Sequence, residues 1–144
     1  MLGHPVHPAL VHFPVGLLLS ATIADLAWVG GLTGDTHIGA ILMAGGLVGG
    51  LLAMGAGMVD LIRLDQRLVP HATRHMTVMG VAWLGYAVAL YLRQDTLSAN
   101  APLASAAVAV SLVSALLLAI GGWLGGQLVY TFGANVEPAR TPTD

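Results

Sequence analysis

The chain has 144 residues, 56% of them hydrophobic and 8% charged, with a net charge of -2 and no cysteine. Too few polar groups exist to coat a water-soluble globule, so lipid must be its main solvent. Without cysteine there is no disulfide, zinc-thiolate or iron–sulfur site, and five arginines against seven carboxylates, with lysine absent, provide no basic surface for nucleic acid.

The N-terminal MLGHPVHPAL lacks the basic region of a secretory signal, and the apolar stretch after it runs on to spanning length without a small-residue cleavage pattern. The first helix is therefore expected to be retained. Pre-proline geometry at His4 and His7 predicts that HPVHP approaches as a loop rather than as helix. Pro8 suits a first helical turn, whereas Pro14 lies deeper and removes a backbone hydrogen bond near His12.

Four apolar segments follow in order: Pro8 to Gly30, His37 to Ile62, His71 to Leu92 and Leu103 to Tyr130. Each is near or above the ~20 residues that cross a bilayer core of ~30 Å. Polar and glycine-rich breaks at Gly31 to Asp35, Arg63 to Arg67 and Arg93 to Asn100 separate them, and such short loops make neighbouring helices antiparallel. The expected fold is an all-α integral membrane bundle of four up-down helices within residues 1–133, with both termini on one side and a polar tail over 134–144.

The face holding the start of the first helix also holds Arg63, Arg67, Arg74 and Arg140; the opposite face holds Arg93. The positive-inside rule then places the termini in the cytoplasm of a multi-pass protein of the inner membrane. Asp25 lies towards the opposite face, where a carboxylate is expected to snorkel to the interface. Small-residue rows at Gly45/Gly49/Ala53/Gly57 and Gly46/Gly50, with Gly121/Gly125 and Gly122/Gly126, are close-packing faces for helices of this chain or of a second copy, or else room for a flat cofactor against the helix.

Five of the six histidines fall near the terminal face: His4, His7, His12, His71 and His75, while His37 is alone on the other side with no evident partner. His71 and His75 are four apart and share one helical face, the arrangement of paired metal ligands. His12 and His75 are expected about one turn inside their helices, at similar depth across a diagonal of roughly 11–14 Å, which suits two imidazoles with a haem iron between them. A zinc, iron or copper ion held by His4, His7, His12, His71 and His75 with Asp60 is the rival reading. A third is structural: interfacial histidines, Asp60 paired with Arg63, and helix faces that dock an assembly partner.

The run HPVHPALVHFPVGLL, the GMVDL that ends the second helix, the histidine-bearing start of the third and the closing GGWLGGQLVY together resemble a family of bacterial membrane proteins catalogued as domain of unknown function 2231. The resemblance extends up to Gly133. It implies a four-helix membrane domain, sometimes joined to Rieske-type redox modules and broadly similar to membrane b-type cytochromes. It also carries over His4, His7, His12, Asp60 and His75 as motif residues. Phe132 stands where that family often has a histidine, which argues against a ligand from the C-terminal end. The preferred expectation is a haem b electron carrier with His12 and His75 as axial ligands and His4, His7 or His71 as supporting or alternative ligands, working with quinone or a partner redox protein.

Overall fold

A computed structural model describes residues 6–62 and 64–134. Four long helices carry the fold: α1 (Val6–Val29), α2 (His37–Ile62), α3 (Val69–Leu92) and α4 (Ser105–Gly126), the last running on into a π-helical turn over Gln127–Thr131. A 3-10 turn, Gln94–Leu97, follows α3. No strand occurs among the described residues. All four helices are long and apolar enough to cross a membrane, and their outward residues are apolar: Ile23, Leu52, Val48 and Leu116 are exposed because lipid is the solvent they meet.

Local chemistry explains where the helices stop and start. Gly31, at φ +69°, ends α1: its N–H donates to Trp28 O (3.0 Å) and that of Leu32 to Ala27 O (2.9 Å), using carbonyls that the helix leaves open. The Asp35 carboxylate then accepts the His37 N–H at 2.8 Å as α2 begins. Pro70 stands in the first turn of α3, where its missing N–H costs nothing. Helix α1 begins before Pro8, so His7 is helical rather than part of a loop. Pre-proline strain disfavours that geometry without forbidding it, and in a first turn the N–H that proline lacks has no intrahelical partner to lose. His4 lies outside the described residues.

Helix α1 packs chiefly on α2 and α3 on α4, with lighter contact between these two hairpins. Pairs at both ends show that α1 and α3 run parallel: His7 is level with His75, and Asp25 with Arg93. Leu18, Ala21, Met43, Leu47, Tyr86 and Leu118 form the centre. Close approach depends on missing side chains. A Cβ on Gly46 would lie 2.7 Å from the Leu18 side chain, and one on Gly50 2.8 Å from the Trp83 ring, whose Nε1–H donates to Leu47 O at 3.0 Å. These glycines of α2 are thus filled from within the chain, and the gain is dispersion contact that lipid alone does not drive.

The end carrying the α1–α2 and α3–α4 connections is tied by polar contacts. Asn100 accepts from the Thr36 N–H and hydroxyl, each at 2.9 Å, and donates to Gly34 O at 2.8 Å. His37, which looked partnerless in the sequence, donates from Nδ1 to Thr96 O at 2.7 Å. Asp25 does not snorkel either. It is 1% exposed and forms a two-pronged ion pair with Arg93, itself 2% exposed, while the Ser111 hydroxyl adds a 3.3 Å hydrogen bond. A cation reaching back from the end of α3 makes burial cheaper for Asp25 than stretching to the interface.

Candidate functional site

At the opposite end, α1 and α3 each send one imidazole into the bundle. His7 Nδ1 lies 2.7 Å from Ala53 O on α2, and His75 Nδ1 lies 2.8 Å from Gly121 O on α4. A carbonyl oxygen only accepts, so Nδ1 carries the proton in both rings and Nε2 is left with its lone pair. Donation of one ring N–H to a backbone carbonyl is how proteins orient histidines that ligate a metal through the other nitrogen. The two rings meet edge to face, with centroids 6.3 Å apart and planes at 79°.

Each ring is seated on a glycine one helical turn past its carbonyl partner. A Cβ on Gly57 would come within 3.1 Å of the His7 ring, and one on Gly125 within 2.9 Å of His75. An imidazole bonded to the carbonyl of one helical residue lies over the residue four positions later, where glycine lets the ring sit close to the backbone. Glycine in these rows therefore makes room for flat rings, here the imidazoles themselves.

The other candidate residues are placed elsewhere. His12 is exposed on α1. Five positions past His7 amounts to roughly 140° around a helix, so when one faces the bundle the other faces away. His71, one turn before His75 on α3, packs against Phe132 with ring centroids 4.4 Å apart and planes tilted by 39°. Asp60 is half-buried in the last turn of α2, and Arg63, which its spacing suggested as partner, lies outside the described residues. Among the described residues no group of three or more histidines and carboxylates is close enough to hold a metal ion.

The length, hydropathy and motif order of the chain now stand beside this arrangement. A family model described as "Predicted membrane protein (DUF2231)" matches residues 3–138. The chain belongs to that family. The match covers all four helices of this DUF2231 domain and so includes both imidazoles, both seating glycines and the Asp25–Arg93 pair. No curated protein and no solved structure matches it.

In this DUF2231 domain His7, expected in a loop among the candidate metal ligands, is helical and meets His75, and Arg93, placed at a loop on the opposite face, pairs with Asp25. The signal for His7 was its distance from His12 around the helix. For Arg93 it was that Asp25, inside the first span, needed a cation.

Proposed function

We propose that this protein is a membrane electron carrier whose haem b is held between His7 and His75. The observation that carries the reading is the pair of oppositely anchored imidazoles, each with Nδ1 committed to a backbone carbonyl and Nε2 free. An iron held between the two rings would take one nitrogen from each, which corresponds to a ring-centre separation of roughly 6 Å. The observed separation is 6.3 Å. Two imidazole nitrogens would suffice for a haem iron, whereas a bare zinc ion takes four ligands.

Haem b would supply a one-electron couple there, and the backbone contacts of His7 and His75 would orient the two imidazoles that hold it. His7 and His75 lie near one end of helices that cross a core of ~30 Å, so a partner redox protein or quinone must carry the electron onward. Arg67 and Arg74 are exposed at that end, while Arg93 at the other is neutralised by Asp25, which favours a cytoplasmic site under the positive-inside rule.

The test is purification in detergent, an absorption spectrum and elemental analysis. A Soret band lost in His7→Ala and in His75→Ala but kept in His12→Ala is the expected result. Stoichiometric zinc, iron or copper without a Soret band would replace haem by a bare metal ion. Neither haem nor metal, even after reconstitution with both, would leave the imidazoles as packing groups of an assembly subunit.

A further inference from the structure

The two imidazole contacts have the same span in sequence: His7 to Ala53 and His75 to Gly121 are each separated by 46 residues. Asp25 and Arg93 are 68 apart. That same shift takes His7 to His75, Ala53 to Gly121 and Gly57 to Gly125, so every part of one imidazole seat has its counterpart in the other. The first residues of α2 and α4, His37 and Ser105, obey it as well.

Burial follows the shift. Leu18 and Ala21 of α1 map onto Tyr86 and Ala89 of α3, and Ala40 and Met43 of α2 onto Val108 and Ser111 of α4, all of them buried. The packing pattern is likewise preserved, with α1 on α2 matched by α3 on α4. Because α1 and α3 run parallel, a rotation that exchanges the hairpins has its axis along the bundle. Parallel repeats of this kind are a known way to build membrane domains, with sites at the repeat interface.

We propose that the bundle is two equivalent helical hairpins related by a pseudo-two-fold axis, that the His7–His75 site is a shared site on this axis, and that Asp25 and Arg93 are the positioning pair that sets which hairpin faces which. The ligand class follows from the symmetry: a metal centre with two opposite coordination positions, each taking an equivalent imidazole nitrogen. That ligand rests on the haem reading above; the symmetry and the positioning pair do not.

The charge at the far end has a physical reason. Identical hairpins would place aspartate against aspartate, or arginine against arginine, at the axis, and like charges repel strongly where no water screens them. One of each sign turns that repulsion into attraction and rejects the pairing of like hairpins, as polar residues do at coiled-coil seams. Along α1 the two axial pairs lie 18 residues apart, roughly 27 Å. They therefore hold the hairpins in register at both ends.

Asp25→Arg, Arg93→Asp and the double exchange Asp25→Arg/Arg93→Asp, made in the full chain, test this. Folded yield in detergent and the thermal midpoint are read for each, with the Soret intensity after hemin addition as a separate signal. Each single exchange is expected to lose most of the folded protein, and the double exchange to recover it together with the hemin spectrum of the parent chain. A double exchange no better than the singles would overturn the equivalence of the two positions.

His7→Ala and His75→Ala provide a second reading that does not depend on a tolerated charge swap. Equivalent seats predict equal falls in thermal midpoint; a loss confined to one of them would overturn the shared site. If the parent chain binds no hemin while the double exchange and the equal falls hold, haem fails and the symmetry stands.

Discussion

Gly57 and His7 are packed so closely that a Cβ on Gly57 would lie 3.1 Å from two ring atoms, a contact that only a shift of the imidazole relieves. Gly125 stands in the same relation to His75, at 2.9 Å. Gly57→Ala and Gly125→Ala should therefore tilt the rings off their carbonyls while leaving the helices intact. The expected result is loss of the Soret band with helical circular dichroism unchanged. Gly55→Ala, which meets nothing within 4 Å, is the control and should bind cofactor as the parent does.

Asp25→Asn and Arg93→Gln should each destabilise the fold by about 3–5 kcal/mol, because each strands the other group's charge inside the bundle. Denaturant titration in detergent measures this. An effect no larger than that of a surface substitution would mean that the ion pair is solvated.

Tyr86 and Thr22 make a directional prediction. The Thr22 hydroxyl donates to Leu18 O at 3.2 Å, so the Tyr86 hydroxyl is the donor in their shared 2.9 Å bond. Tyr86→Phe removes a donor and leaves Thr22 with a partner, at a cost of about 0.6 kcal/mol, the average for such bonds in membranes. Thr22→Val strands the hydroxyl of a tyrosine with no exposed surface and should cost more, about 1–3 kcal/mol. Thermal midpoints in one detergent rank the two, and the reverse order would refute the assignment of donor.

Single cysteines report orientation, since the chain has none of its own. Ser98 and Gln66 are exposed at opposite ends. An impermeant thiol reagent added outside intact cells is expected to label Ser98→Cys and not Gln66→Cys. The opposite pattern would place the imidazole end outside.

The helices could be read from the chain because the bilayer imposes a length: a run of ~20 apolar residues has few alternatives when every backbone group must be satisfied within the segment. The same solvent hides which side of each helix faces inward. In water an inner face is apolar and an outer face polar, but α1 is apolar on both, so nothing in its periodicity separates His7 from His12. The choice between them as partner for His75 needed the position of α2, whose Ala53 carbonyl and Gly57 backbone hold the His7 ring.

The repeat was equally faint. Over the helices, the two halves share identical residues at His7/His75, Ala21/Ala89 and Gly57/Gly125. Elsewhere any apolar residue of suitable size preserves the packing, so the equivalence is carried by burial rather than by identity. Sequence alone determined a lipid-solvated bundle of four helices with histidines gathered at one end, because hydropathy and helix length depend on neighbours along the chain. Tertiary structure decided which histidines meet, that Arg93 answers Asp25, and that the hairpins are equivalent. Those pairings join groups up to 68 residues apart, and only the packing of one apolar helix on another brings them face to face.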